Sequence, residues 1–491
     1  MEQLLQGFLL VLQGDALLAI AVGTISGTIV GAMPGLSSTL GVALLIPFTF
    51  GLPPAVAFGL LSGMYCSSIY GGSITAILIN TPGTGAAAAT TLDGYPMTRK
   101  GMAGKALATA IWSSFFGGIF GTLALLLIAP PLSMIALKFG PPESFMVTLF
   151  GMTIIASVSG GSMAKGIIAA MFGLLISTVG LDPQIGYGRF TFGRMELYGG
   201  IGLVLALVGF FSIPEALTMV RDKSGTDYTS IKIKSVSLTL KEASALFGTW
   251  LHCSIIGTLI GIIPGVGTPV ACFLAYNERK RFSKNGDLFG TGVIEGVAAP
   301  ESANNAVEGG SMIPLLTLGI PGSAQTAVYL GAMMIQGLRP GPSLFTEQAA
   351  VTYSIIWGLM IANVFMLVVG LGGMRVFLKI LSVKKTIMIP LIITFATIGS
   401  YALNFRVFDI GLMFGLGIAG YFMRKNGIPI APAVIAIILG PIGEDAFLQS
   451  MSIFHGNLFL FFTRPICVFF IAATALSVFY TVRRQRKALT V

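Results

Sequence analysis

Apolar runs broken by short polar or Gly/Pro-rich stretches follow one another from end to end of this chain. Ala106 to Pro130, Leu197 to Phe211, Val351 to Leu371 and Leu458 to Val478 are of the kind that cross a bilayer as helices. The short alternating strands of a membrane barrel are not the pattern here. The chain is therefore expected to be an all-α polytopic membrane protein with about 10 to 14 crossings. The longest hydrophilic interruption, Arg221 to Glu242, marks a boundary. It separates an N-terminal transmembrane repeat (1–220) from a C-terminal one (244–480), with 221–243 as linker and 481–491 as a basic tail.

The division into repeats rests on two echoes. Gly27-Thr28-Ile29-Val30-Gly31-Ala32-Met33-Pro34-Gly35 returns as Gly257-Thr258-Leu259-Ile260-Gly261-Ile262-Ile263-Pro264-Gly265. Gly71-Gly72-Ser73, running to Pro82-Gly83, returns as Gly309-Gly310-Ser311, running to Pro321-Gly322. Charge in equivalent loops then sets orientation. The loop after the first Pro-Gly is uncharged in repeat one (Phe50 to Pro54) and basic in repeat two (Arg279, Lys280, Arg281, Lys284). After the second the asymmetry reverses, with Arg99, Lys100 and Lys105 against Arg339 alone. It reverses again with Lys138 alone against Arg375, Lys379, Lys384 and Lys385. Basic loops stay cytoplasmic, so the alternation predicts inverted-topology repeats, with re-entrant hairpins at Gly71 to Arg99 and Gly309 to Arg339.

Composition narrows the class. The chain has 491 residues, of which 54% are hydrophobic and only 10% charged, too few charges to cover a soluble protein of this size. Its net charge of +10 sits in short clusters between apolar segments, which marks topology and not a nucleic-acid partner. The four cysteines have no CxxC spacing and read as buried small hydrophobes. The N-terminus lacks the basic flank of a secretory signal, so no cleaved leader is expected.

Candidate chemistry lies at four breaks: Pro34-Gly35 with Ser37 and Ser38; Asn80-Thr81-Pro82-Gly83-Thr84; Pro264-Gly265 with Gly267 and Thr268; and Pro321-Gly322-Ser323. Each puts Pro-Gly where a helix would otherwise continue, followed by a hydroxyl residue able to cap the next one. Helix N-termini aimed into the interior suit a carboxylate without a basic side chain. Between Gly292 and Gly310, the residues Glu295, Glu301, Asn304, Asn305 and Glu308 form a segment too polar for lipid. It is either an aqueous loop or a wall of a transport cavity. In a cavity, Glu295 and Glu301 suit a coupling Na⁺ or H⁺, while Asn304 and Asn305 can serve substrate or ion. No metal centre or other cofactor is expected, and no nucleotide-binding loop is present.

Gly257 to Pro269, Ala299-Pro300-Glu301-Ser302-Ala303-Asn304-Asn305-Ala306 and Pro314 to Gly322 resemble signature stretches of the large permease subunit of tripartite tricarboxylate transporters, the TctA family. Ser302 stands where the resemblance leads one to expect Ala or another small residue. The resemblance implies a multi-pass subunit of the bacterial inner membrane, not an enzyme, importing tricarboxylates or related carboxylates such as citrate. It implies a small TctB-like membrane subunit and a periplasmic TctC-like solute-binding protein as partners, and an ion gradient as driving force with alternating access. A stand-alone transporter for another organic anion, a passive channel and an intramembrane enzyme using Glu295 or Glu301 stand as alternatives.

Overall fold

The computed structural model describes residues 2–33, 36–158, 163–182, 185–221, 237–373 and 385–489. The N-terminal half contains α1 (Glu2–Val11), α2 (Gly14–Ala32), α3 (Ser38–Leu45), α4 (Pro54–Ile79), α5 (Thr91–Arg99), α6 (Ala103–Ala136), α7 (Pro141–Val158), α8 (Met163–Ser177) and α9 (Leu203–Arg221). The C-terminal half contains α10 (Leu240–Ile262), α11 (Thr268–Phe282), α12 (Ile294–Leu318), α13 (Ala324–Ile335), α14 (Ala349–Gly372), α15 (Lys385–Asn404), α16 (Val407–Lys425), α17 (Ile430–Ile453) and α18 (Pro465–Leu489). The strands among the described residues are two-residue pieces, Gly180–Leu181 paired antiparallel with Gly188–Arg189. The all-α polytopic expectation holds. Most of the linker (222–236) and most of the basic loop that holds Arg375, Lys379 and Lys384 lie outside the described residues.

Seven helices among the described residues are long and apolar enough to cross a membrane: α2, α6, α10, α14, most of α15, α16 and α17. Their outward faces expose large apolar side chains such as Leu18, Leu127 and Val368, as lipid contact requires. Two helices differ. α4 has 26 residues and α12 has 25, about 38 Å of helix each, yet every residue from Ala55 to Leu78 and from Gly296 to Thr317 is buried. They are the axis of the fold. Enclosure in protein explains how α12 carries so many polar side chains, because neighbouring helices replace lipid around it.

Small residues allow this enclosure. A Cβ on Gly27 would lie 2.7 Å from the Met64 carbonyl oxygen, and one on Gly31 would lie 2.1 Å from that of Ser68. In the other half a Cβ on Gly257 would lie 2.3 Å from the Ala303 carbonyl oxygen, and one on Gly261 would lie 2.9 Å from that of Val307. Thus α2 lies against α4, and α10 against α12, at backbone contact and in the same register. α4 and α12 themselves run antiparallel. Tyr329 on α13, just past the end of α12, donates to the Phe58 carbonyl near the start of α4 (3.4 Å). Asp93, past the end of α4, accepts from the Val293 N–H at the start of α12 (2.9 Å).

The hairpins begin later than the sequence predicts. α4 runs unbroken through Gly71-Gly72-Ser73 to Ile79, and α12 through Gly309-Gly310-Ser311 to Leu318. The inward leg of each hairpin is therefore the last turns of an axial helix. Each ends in a left-handed residue, Asn80 (φ 56°) and Gly319 (φ 71°). Within α12 the ladder also continues past Pro300 and Pro314.

Candidate functional site

The described residues of the breaks and their flanks meet in pairs. Gly83 donates its N–H to the Gly72 carbonyl (3.1 Å), and a Cβ there would lie 2.2 Å from the Gly31 carbonyl oxygen, one turn before the first break. Gly265 donates to the Gly322 carbonyl (3.1 Å), which joins the third break to the fourth. The two pairs touch where Gly85 faces Pro269, 3.6 Å from a Cβ position to the ring. Pro82, Gly83 and Thr84 are drawn inward, whereas Asn80 and Thr81 are exposed. Pro264, Thr268, Pro321 and Gly322 are buried, and Gly265 and Gly267 half-buried. Pro34 and Gly35 lie outside the described residues.

The caps follow the sequence expectation at two breaks. Ser37 accepts from the Leu40 N–H (3.1 Å) and starts α3, with Ser38 buried as its first residue. Ser323 forms a reciprocal capping box with Thr326 and starts α13. At the third break Gly267, with φ 80°, takes the cap position itself and displaces Thr268 into the first turn of α11. After the second break the chain first makes a four-residue 3-10 turn, Gly85–Ala88, and α5 begins at Thr91 behind the buried Thr90.

The segment from Glu295 to Glu308 is not a loop but part of α12. Helical spacing sorts its polar residues. Glu301, Asn304, Glu308 and Ser311 recur at three- and four-residue intervals and share one face. Ser311 marks what that face meets, since its hydroxyl bonds the Tyr65 hydroxyl on α4 (3.1 Å). Glu301, fully buried, accepts from Ser114 on α6 (3.0 Å) and from Thr90 beyond the second break. One carboxylate thus ties α12 to α6 and to the first hairpin. Asn304 is enclosed with neither its amide nitrogen nor its oxygen hydrogen-bonded. Asn305, one residue on, donates to the Cys66 carbonyl (3.3 Å) and to Glu308 (3.1 Å).

Glu295 is placed apart. It lies roughly 120° around the helix from Glu301. It pairs with Arg279 (3.5 Å) and accepts from Ser283, at the basic end of α11. Arg279 lies in the last turn of α11 and Glu295 in the first turn of α12, so each charge has the sign its helix dipole favours.

Two residues that sequence reasoning missed bear on the site. Asp93 on α5 is buried and accepts from Tyr276 (2.8 Å) and from the N–H groups of Gly290 (3.0 Å), Gly292 (2.7 Å) and Val293 (2.9 Å). It caps the entry to α12 from the opposite half of the chain. A Cβ on Gly296 would lie 2.0 Å from its carboxylate, so that position has to be glycine. No local signal marks Asp93, because its partners are some 200 positions away. Replacement by Asn removes the charge that all four donors address and turns an N–H₂ toward them. Asp93→Asn is expected to cost about 3 kcal/mol, read as a lower apparent Tm of the protein in detergent. Asn363, the second, is a fully buried amide inside the apolar helix α14. Its isolation in an otherwise apolar span is a signal the sequence does offer.

Two cavities lie along α17. One of about 880 Å³ is lined by Phe139, Ser144, Met334, Arg339, Asp445 and Gln449 among others. The other, about 480 Å³, is lined by Ser37, Thr39, Phe211, Glu215 and Arg424, the last two ion-paired. They lie at opposite ends of α17, separated along it by about 20 Å. Of the isolated charges near these cavities, Lys165 donates to the Asn426 carbonyl (2.6 Å). Glu444, within α17, pairs bidentately with Arg189 (2.5 and 3.2 Å).

Apolar helices packed around two enclosed ones, with broken segments and unpartnered polar groups where they meet, define a multi-pass membrane protein with its site in the interior. Comparison with known proteins makes this more particular. The model of the tripartite tricarboxylate transporter TctA family matches residues 17–435. An uncharacterized 52.8 kDa protein in the TAR-I ttuC' 3' region of Agrobacterium vitis is 40% identical over 451 residues, 92% of this chain and 90% of its own length. A protein in the TAR-II ttuC' 3' region of the same organism is 40% identical over 210 residues, 43% of this chain and 87% of its own. No solved structure matches. The chain belongs to the tripartite tricarboxylate transporter TctA family, as a large membrane subunit of that class of transporter.

Proposed function

We propose that this chain imports a tricarboxylate or a related small carboxylate, citrate foremost, across the bacterial inner membrane by alternating access coupled to a Na⁺ or H⁺ gradient. A periplasmic solute-binding protein delivers the substrate, and a small membrane subunit completes the complex. The observation that carries this reading is Asn304, an enclosed amide with both polar atoms unpartnered, on the face of α12 that also carries Glu301. Burying such a group costs free energy unless something binds it. Ser37 and Ser323 start helices whose free N–H groups suit substrate carboxylates. Glu301, in contact with α6 and the first hairpin, is the group through which a bound proton or ion is felt by both. The antiparallel axial helices and their matched partners support an inverted-repeat reading, and the two cavities are the vestibules such a cycle needs.

The test is uptake of labelled citrate and a panel of other di- and tricarboxylates into cells expressing this chain with its partner subunits, with and without the binding protein. Accumulation only in the complete system, lost when ion gradients are dissipated, is the expected result. Accumulation without the binding protein would replace it by a stand-alone transporter. Equilibration without accumulation would indicate a channel.

A further inference from the structure

α9 and α16 pack side by side and run parallel. A Cβ on Gly209 would lie 2.7 Å from the Met413 carbonyl oxygen, and one on Gly417 would lie 2.4 Å from the Ile213 Cβ, so the contact advances in the same direction along both helices. Both therefore end at one level, and each ends in basic side chains: Arg221 on α9, Arg424 and Lys425 on α16. All three line one pocket of about 190 Å³, together with Thr218 and Tyr421. Arg424 also borders the cavity of about 480 Å³, where it pairs with Glu215, whereas Arg221 and Lys425 face the smaller pocket alone.

The pocket carries a surplus of positive charge. Glu215 answers one of its three cations, and among the described residues no acidic side chain pairs with the exposed Arg221 or Lys425. A basic residue in the last turn of a helix offsets the negative end of the dipole, which accounts for each of them singly. It does not account for three converging on one hollow, where like charges repel unless an anion joins them. The polar stretch after Arg221 leads to Glu242, which pairs with Lys105 (2.6 Å). That pair puts the pocket on the side of the basic loops, the cytoplasmic one by the charge rule. Ile418, Phe422 and Lys425 follow one another at four- and three-residue intervals on one exposed face of α16, and Val220 is exposed beside Arg221 on α9. An apolar surface for acyl chains thus runs up to the cations at the depth of the headgroups. We propose that this pocket binds the phosphodiester headgroup of an anionic phospholipid of the cytoplasmic leaflet. Arg221, Lys425 and the Arg424 N–H groups that Glu215 leaves supply charge-assisted donors. The apolar face below the pocket favours a lipid over a soluble phosphate, and a lipid seated there would clamp the ends of α9 and α16 whatever solute the chain carries.

The experiment is titration of the purified full chain, in neutral detergent, with radiolabelled phosphatidylglycerol. Wild-type protein is expected to bind it saturably, and the double variant Arg221→Gln, Lys425→Gln to bind at least about tenfold more weakly. Lys425→Arg, which keeps the charge, should bind as the wild type does. Arg281→Gln with Lys284→Gln removes two equally exposed cations beyond α11 and should leave binding unchanged. An equal loss in that control, or binding by the wild type that does not saturate, would reduce the effect to general surface charge and overturn the site. Equal competition by unlabelled phosphatidylcholine would overturn it too, since headgroup charge would then be irrelevant. Displacement of the lipid by inorganic phosphate would replace it with a soluble-phosphate site. Displacement by citrate would assign the pocket to the transported anion instead.

Discussion

Replacing Asn304 by Ala is expected to lower carboxylate uptake about ten- to a hundredfold while leaving the folded protein as stable as before, or more so. The two halves of this expectation have one cause. The Asn304 amide makes no hydrogen bond to another protein group although fully enclosed. Removing it therefore relieves an uncompensated burial of about 1–3 kcal/mol instead of breaking a bond. A substrate carboxylate or a coupling ion that completes the amide loses a charge-assisted partner of about 1.5–3 kcal/mol, which sets the loss of uptake. Uptake at matched membrane abundance, together with apparent Tm in detergent, checks both. A stability loss with normal uptake would make Asn304 a packing residue and remove it from the site.

Gly309→Ala is expected to act in the opposite way, by emptying the membrane of folded protein. A Cβ at this position would lie 2.0 Å from the Gly121 carbonyl oxygen and 2.1 Å from its carbon, and both are backbone of α6. Nothing there can rotate aside, so α6 and α12 have to separate, and the Glu301–Ser114 bond, about two turns away on each helix, is strained with them. The cost is about 3 kcal/mol or more. Gly248→Ala in α10 is the comparison, since no atom lies within 4 Å of its Cβ position. There the helix gains about 0.5–1 kcal/mol from the lost backbone freedom of glycine. Monodisperse protein recovered from membranes, measured by fluorescence-detected size exclusion, distinguishes the two. Equal recovery would mean that α6 and α12 yield more easily than backbone contact allows.

How far the site was legible follows from what each feature depends on. The breaks at Pro82-Gly83, Pro264-Gly265 and Pro321-Gly322 are local events, and the chain interrupts helices at all three. The hairpin limits were misplaced because Gly71-Gly72 and Gly309-Gly310 resemble turn residues. In the fold they are contact surfaces within α4 and α12: a Cβ on Gly310 would lie 2.4 Å from the Thr258 carbonyl oxygen. Glycine serves both purposes, and only the neighbour decides which. Within 293–308 the three- and four-residue spacing of Glu301, Asn304 and Glu308 was present to be read. It needed the knowledge that the segment is helical, which Pro300 and its polarity argue against.

From the sequence alone came the class: a polytopic α-helical membrane protein, the places where its helices break, and the motifs that resemble the TctA family. These are set by composition, periodicity and Pro-Gly chemistry, all of which act within a few residues. The tertiary structure alone decided which polar groups share a site. It brought Asn363 of α14 beside Asn305 and Glu308, closed Asp93 onto the entry to α12, and set Glu295 in a peripheral pair with Arg279. Such meetings depend on which helix faces touch across the whole chain, and that is settled by backbone contact between small residues far apart in sequence.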